Sequence, residues 1–243
     1  MTYVVLALVG LLIGLSKGGL GAPLAMLVIP LLSLVMPVPS AIGLSLPLLI
    51  VGDGIAIIMF WKTWDLDYVK RMLPTTIIGI VIGTLLLAAL PDLTLRRVLG
   101  IFTLIFVAYR LISERLTQFE YQPRYWHAHL AGWLSGMGSA LANTGAPPFL
   151  AYLLLQPLSP ITIVGTTTLF FALVNLIKLP GMILTGVVDF HEALGSLWVI
   201  PVIIGAVFMG RWIIQRINQR VFEYVLLFTL FVTALFLLFV QSK

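Results

Sequence analysis

The sequence predicts an all-α membrane protein, a helical bundle built from two inverted repeats, and three observations lead to this prediction. Hydrophobic residues make up 60% of the 243 residues and charged residues only 9%, a balance that soluble domains do not show. The apolar residues are grouped into long stretches with short polar connections. A pattern of glycines, prolines and polar residues recurs after about 123 positions.

Each half of the chain contains five apolar stretches. Those of the first half lie near residues 3–15, 20–36, 38–61, 72–90 and 96–113, and those of the second half lie near 128–141, 145–157, 160–180, 193–212 and 221–240. A complete crossing needs about 20 apolar residues, so the last three stretches of each half are predicted to span the membrane. The first two are shorter, and they form either short tilted crossings or a hairpin that re-enters on the same side.

The same Gly-Ala-Pro turn breaks the hydrophobic run in both halves, at Gly21-Ala22-Pro23 and at Gly145-Ala146-Pro147. Further pairs lie 122 to 124 positions apart: Gly43 with Gly165, Asp53 with Asn175, Asp65 with Asp189, and Arg97 with Arg220. Two matching halves with interrupted helices predict a transporter whose binding site lies between the halves, where both breaks meet near the midplane. The predicted organisation is one integral membrane domain with a first repeat at 1–115, a cytoplasmic linker at 116–127 and a second repeat at 128–243.

Basic residues predict the orientation in the membrane. They gather in three connections, which the positive-inside rule places in the cytoplasm. These residues are Lys62, Lys70, Arg71, Arg110, Arg115, Arg124, Arg211, Arg216 and Arg220. This assignment leaves Arg96, Arg97 and Lys243 outside, puts both termini outside and gives each half an odd number of crossings. The two repeats are then inverted, and the expected location is the cell (inner) membrane.

Composition and motifs argue against other classes of protein. The basic residues stand singly or in pairs between apolar stretches, so no nucleic-acid partner is expected despite the net charge of +5. The absence of cysteine excludes disulfides and thiol chemistry. No phosphate loop, zinc motif or nucleophile elbow occurs, so the chain is predicted not to be an enzyme and to use no cofactor or metal. The stretch from Tyr3 to Ile13 has no basic region before it and is predicted to be mature structure.

The first break contains a lysine within the hydrophobic run. Lys17 is surrounded by glycines, which are Gly14, Gly18, Gly19 and Gly21. A broken helix offers backbone N–H groups and a positive dipole end, and an added ammonium group predicts an anion site. The alternative is a loop lysine that extends to the lipid headgroups.

The second break offers hydrogen-bonding groups without charge. Asn143 and Thr144 directly precede Gly145, and we predict that all three contact the substrate opposite Lys17. The alternative for Asn143 is a helix cap.

Three further polar residues lie within spans, where each is costly unless it is paired or hydrated. Asn175 and Lys178 are three positions apart and share a helix face, which predicts a contribution to the anion site. Lys178 alternatively extends outward to water, since Pro180 follows closely. Asp53 is the one carboxylate deep in a span, and it either carries a coupling proton or pairs with a lysine structurally.

Two other motifs allow a functional or a structural interpretation. The hydroxyl run Thr166-Thr167-Thr168 could bind substrate oxygens, with Thr166 as the predicted ligand, although small hydroxyl residues in membrane helices often serve packing. Asp189 with Glu192 at a helix start is read as a capping box rather than a metal site with His191.

Several segments carry a resemblance to a known family. They are Gly18-Gly19-Leu20-Gly21-Ala22-Pro23, Ser139-Ala140-Leu141-Ala142-Asn143-Thr144-Gly145-Ala146-Pro147-Pro148, Tyr152-Leu153-Leu154-Leu155-Gln156-Pro157, Gly165-Thr166-Thr167 and Asn175-Leu176-Ile177-Lys178-Leu179-Pro180. Through them, and over nearly its whole length, the chain resembles the sulfite exporter TauE/SafE family. The family usually has glycine where this chain has Ala146.

The resemblance implies a secondary transporter that exports a small sulfur-containing anion such as sulfite, a sulfonate or sulfoacetate, with protons as the coupling ion. The residues themselves lead only to an anion permease in a lipid bilayer. Two alternatives stay open, an anion channel and a membrane scaffold subunit for a partner protein. An oligomer is compatible with the sequence.

Overall fold

The computed structural model describes residues 2–113, 124–213 and 219–239, and in these ranges the chain is helical without strands. The helices of the first half are α1 (Thr2–Leu15), α2 (Ala22–Leu32), α3 (Val38–Met59), α4 (Leu66–Ala89) and α5 (Asp92–Ser113). Those of the second half are α6 (Tyr125–Ala142), α7 (Ala146–Leu153), α8 (Pro160–Leu184), α9 (Phe190–Gly195), α10 (Ile200–Ile213) and α11 (Gln219–Phe239). An irregular turn, Ser16–Leu20, joins α1 to the first break. The predicted all-α membrane fold is confirmed.

Five helical segments of the described chain are long and apolar enough to cross a membrane: Tyr3–Leu20, Val38–Met59, Leu66–Ala89, Ile161–Leu184 and His191–Ile213. Four of them are predicted crossings. The fifth joins α1 to the irregular turn that ends at Leu20, in which Gly19 is not helical. The predicted crossings at 96–113 and 221–240 are not among these five.

Some predicted features lie outside the described residues. These are most of the linker, at 116–123, and the basic residues Arg115, Arg216 and Lys243. Helix α6 begins at Tyr125, inside the stretch that was predicted to be linker.

The second arm of each predicted hairpin is short. Helix α2 has 11 residues and α7 has 8, so at about 1.5 Å per residue they are roughly 16 and 12 Å long. The hydrocarbon core of a bilayer is about 30 Å thick. Neither of these second arms is long enough to cross it alone.

The two halves pack against each other reciprocally. Helix α1 packs on α10, and α6, the repeat partner of α1, packs on α4, the repeat partner of α10. Helix α3 packs on its own repeat partner α8, and α5 packs on α11. Such exchange of equivalent contacts is expected of two units related by a two-fold axis. The inverted orientation of the repeats remains a prediction.

Glycines permit the close approach of these helix pairs. A methyl group at Gly136 of α6 would lie 2.1 Å from the Thr76 carbonyl oxygen and 3.0 Å from the Ile80 nitrogen of α4. The equivalent methyl at Gly14 of α1 would lie 2.5 Å from the carbonyl oxygen of Ile203 on α10. Ile80 and Ile203 are themselves 123 positions apart, so equivalent parts of the two helix pairs cross closely at small residues, in contacts that differ by one helical turn.

We expect Gly136→Ala to destabilise the protein by about 1–3 kcal/mol, because the added methyl group must push two helix backbones apart. A lowered midpoint of thermal unfolding in detergent would show this. Gly205→Ala in α10 is the matched control, since a methyl group there would contact nothing within 4 Å. The control should be neutral or slightly stabilising, and equal melting temperatures for the two variants would contradict the packing argument.

Candidate functional site

The first break owes its shape to two glycines with positive φ. Gly19 has φ 121° and Gly21 has φ 88°, values that side chains with a Cβ rarely adopt. The Ser16 hydroxyl donates to the Gly21 carbonyl oxygen at 2.8 Å, and the Gly21 amide donates to the Ser16 carbonyl oxygen at 3.2 Å. Pro23 then stands at the start of α2, where a missing N–H costs nothing. The chain therefore turns here, and the polar groups of Ser16 and Gly21 form hydrogen bonds with each other.

The second break uses an asparagine in place of those glycines. Asn143 has φ 52° and is the C-terminal cap of α6, with its amide donating to the Ser139 carbonyl oxygen at 3.1 Å. The Thr144 amide donates to the Gly138 carbonyl oxygen at 3.0 Å, and the Ser135 hydroxyl donates to the Gly145 carbonyl oxygen at 2.6 Å. The helix-cap interpretation of Asn143 therefore holds for its backbone, while its side chain has other partners.

Both breaks line the same cavity, which has a volume of about 190 Å³. Its polar wall consists of Ser16, Lys17, Gly19, Gly21, Ser139, Asn143, Thr167, Thr168 and Asn175. Its apolar wall consists of Ala25, Met26, Leu49, Phe60, Ala146, Leu150, Ile163, Val164 and Phe171. One polar pocket between the two halves is the arrangement that the repeat pattern predicts.

The ammonium group of Lys17 is already paired with a carboxylate where it lines this cavity. Its Nζ forms an ion pair with Oδ1 of Asp53, whose side chain is only 1% exposed, whereas that of Lys17 is 14% exposed. The Asn175 side-chain amide donates to Oδ2 of Asp53 at 2.6 Å. Both carboxylate oxygens are therefore occupied, and Lys17 does not extend to the lipid headgroups.

The contact between Asp53 and Asn175 joins two repeat partners. The residues are 122 positions apart and lie on α3 and α8, which pack together. In a pair of units related by a two-fold axis, equivalent residues touch only near that axis. If the halves are related by the predicted two-fold axis, the ion pair of Lys17 lies beside it.

Lys178 lies in a second polar cluster, behind the cavity wall. Its side chain is fully buried, so the alternative that it extends outward to water is wrong. Its Nζ donates to Oδ1 of Asn143 at 2.6 Å and to the carbonyl and hydroxyl oxygens of Ser139 at 3.2 and 3.3 Å. The Asn143 side-chain amide donates to the Ser45 hydroxyl at 3.1 Å. Lys178 therefore does not line the cavity itself, but it contacts two residues that do, Asn143 and Ser139.

Besides Lys178, four other residues that were predicted to bind substrate are not part of the cavity wall. Thr166 accepts from the Asp65 backbone amide at 2.9 Å and ties α8 to the start of α4. Gly18 packs against the backbone of α10, the Thr144 hydroxyl donates to the Gly138 carbonyl oxygen, and Gly145 packs against the backbone of α6. The residues at 18, 144 and 145 shape the breaks, and Thr166 joins two helices.

The expected backbone ligands are also largely engaged. The amides of Gly21 and Thr144 donate to carbonyl oxygens of their own breaks, and the two prolines at 147 and 148 have no N–H to offer at the start of α7. Side chains therefore supply more of the hydrogen-bonding capacity of this site than the sequence indicated.

Sequence reasoning missed Ser16 and Ser139 in the cavity wall. A signal for Ser139 was available, because it lies 122 positions after Lys17 and is its repeat equivalent. No comparable signal distinguishes Ser16 from other small polar residues near a break.

The motif at Asp189 is structural. The Asp189 carboxylate accepts from the backbone amides of His191 at 2.7 Å and Glu192 at 3.3 Å, and so caps the start of α9.

Comparison with known proteins identifies a family. The family model described as Sulfite exporter TauE/SafE matches residues 6–237, nearly the whole chain. No curated protein and no solved structure matches the chain.

Proposed function

This chain belongs to the sulfite exporter TauE/SafE family, and we propose that it is a proton-coupled secondary transporter that exports a small sulfur-containing oxyanion. The observation that carries this proposal is the cavity of about 190 Å³ that both helix breaks line. Its size suits a small anion with a few water molecules, and its position between the repeats suits a carrier. Sulfite is the substrate that we propose first.

The side chains of the polar wall supply the donors that an oxyanion needs. Lys17 offers the hydrogens of its ammonium group that Asp53 does not occupy, and Asn143 offers the second hydrogen of its side-chain amide. Thr168 adds a hydroxyl group to the same wall. Charge-assisted hydrogen bonds of this kind are the strong ones in a site shielded from water. We propose Lys17, Asn143, Asn175 and Thr168 as direct ligands.

The extent of the cavity supports loading from the cytoplasm. The cavity reaches Phe60 at the end of α3 and Ile163 near the start of α8. Both residues lie on the side of the protein where Lys62 lies. At the opposite end of α3, a methyl group at Gly43 would lie 1.9 Å from the Val187 carbonyl oxygen, so the backbones are closed on each other. We propose that Gly43 and Val187 form the outer seal in this state, which alternating access would open.

The membrane orientation is part of the same proposal. The basic end of α3 and α4 faces the cytoplasm, both termini lie outside, and the protein resides in the inner membrane. A reporter fused to the C-terminus that is active only in the cytoplasm should stay inactive, and an active reporter would overturn this orientation.

Transport by the purified chain in proteoliposomes tests the function. Vesicles preloaded with unlabelled sulfite should transiently concentrate labelled sulfite, because a carrier exchanges one for the other. Thiosulfate, methanesulfonate and phosphate in the external buffer would rank the substrates. A channel would only equilibrate the label, and a scaffold subunit would give no flux above protein-free vesicles, so either result would contradict the proposal.

A further inference from the structure

Lys178, the buried lysine behind the cavity wall, affects which substrate charge the site accepts. We propose that Lys178 gives the site one net positive charge and thereby sets the valence of the cargo to one negative charge, carried by a monovalent anion or by a divalent anion with one proton. This inference rests on the proposed function and specifies the substrate class of the same site.

The charge count depends on three side chains. Lys17 and Asp53 form an ion pair and cancel formally. Lys178 is fully buried and contacts only neutral oxygens, those of Asn143 and Ser139. Its ammonium group therefore stays uncompensated among the described residues, with Asp53 and Lys17 as the charged neighbours whose fields reach it.

The helices that pack on α8, the helix of Lys178, are α3, α4, α6 and α7. Asp53 is the charged residue of α3, and α7 contains none. The ionisable residues of α4 and α6 stand in the first turns of these helices, and they are Asp67, Tyr68, Lys70, Arg71, Tyr125, His127 and His129. An isolated charge in a medium of low dielectric constant is unfavourable until a counter-ion arrives. One bound negative charge makes the whole site neutral.

Lys178 also fixes the direction of the Asn143 amide group. Its ammonium donates to Oδ1 of Asn143, a residue of the cavity wall, and the amide nitrogen donates one hydrogen to the Ser45 hydroxyl and keeps a second one. A primary amide can present either its oxygen or its nitrogen to a ligand. Here the lysine selects the nitrogen, so the wall offers a hydrogen-bond donor, as an anion requires. Lys178 is thus a positioning residue and a counter-charge, with no direct contact to substrate.

A divalent anion needs one more positive charge. Protonation of Asp53 supplies it, because the neutral carboxyl group no longer cancels Lys17. The proton enters from the same aqueous side as the anion and leaves with it, so that the loaded site is neutral in both cases.

Probes whose charge does not change with pH test this proposal. Uptake of labelled methanesulfonate, which is monovalent, and of labelled sulfate, which is divalent, is measured side by side at one slightly acidic pH. The wild-type protein should prefer methanesulfonate at least about tenfold, given the strength of a single uncompensated charge in such a site. Asp53→Asn should raise sulfate uptake about tenfold, since the site then carries two positive charges.

Lys178→Met should lose uptake of both probes, because the site becomes neutral and Asn143 is no longer oriented. The double variant Lys178→Met with Asp53→Asn restores one positive charge and should regain the preference for methanesulfonate. If Lys178→Met fails to fold, the single variant Asp53→Asn still decides the question.

The proposal is overturned if wild type takes up both probes equally, if Asp53→Asn leaves their ratio unchanged, or if a folded Lys178→Met keeps normal uptake. Sulfite uptake is measured in the same vesicles. Sulfite uptake by wild type with an unchanged probe ratio would reject the valence proposal alone, whereas absence of sulfite uptake would reject the proposed function.

Discussion

Lys17→Met is expected to abolish sulfite transport in proteoliposomes. Lys17 is the one charged residue among those that line the cavity between the two breaks, and it also pairs with the buried Asp53. In the proposed complex the ammonium group of Lys17 and the bound sulfite form a desolvated charge pair, and removal of one partner of such a pair typically costs about 2–5 kcal/mol, which corresponds to roughly a 30-fold to several-thousand-fold loss of apparent affinity. Initial uptake rates over a range of sulfite concentrations measure the effect.

Two control variants separate loss of the site from loss of the fold. Lys70→Met makes the same chemical change at an exposed position of α4 and should transport normally. Lys17→Met combined with Asp53→Asn leaves no unpaired buried charge, so its thermal stability should return toward wild type while transport stays lost. Transport by Lys17→Met at a normal rate would show that the anion does not use this cavity.

Asp53→Asn is expected to uncouple sulfite movement from the pH gradient. Asp53 is buried and accepts hydrogen bonds from Lys17 and Asn175. A bound anion would attract Lys17 and weaken its hold on the carboxylate, which favours protonation of Asp53 and links proton and anion movement in the same direction. Asparagine resembles the protonated carboxyl group in shape and charge.

The uncoupling is measured as sulfite flux with and without an imposed pH gradient. Wild type should respond to the gradient, and Asp53→Asn should bind sulfite and move it at a rate that the gradient no longer alters. Asp67→Asn, at an exposed position in the first turn of α4, is the control and should keep the response. An unchanged pH response in Asp53→Asn would make this residue a structural partner of Lys17 only.

The sequence predicted the fold well because its signals are local. The length of an apolar run decides whether a helix crosses, and the glycines and prolines at residues 18–23 and 143–148 decide where a helix breaks. Both properties are read along the chain without knowledge of tertiary contacts. At the first break the glycines act as predicted, because α1 ends at Leu15 and Gly19 and Gly21 have positive φ.

The candidate site was predicted less completely, for two physical reasons. The partners of the two lysines are distant in sequence, Asp53 for Lys17 and Asn143 for Lys178, so the sequence did not indicate which lysine is paired with a carboxylate. The second reason is helix phase. Thr166 and Thr168 are about 200° apart around α8, and a helix that is apolar on most faces gives no indication of which hydroxyl faces the cavity.

The most direct test of the central claim is a structure of the protein with selenite, a heavier analogue of sulfite whose selenium is located by anomalous scattering. We expect one ordered selenium peak in the cavity between the two breaks, within hydrogen-bond distance of Lys17 Nζ and the Asn143 side-chain nitrogen. The peak should be absent from the Lys17→Met variant. An ordered selenite elsewhere in the protein, with this cavity empty, would contradict the account.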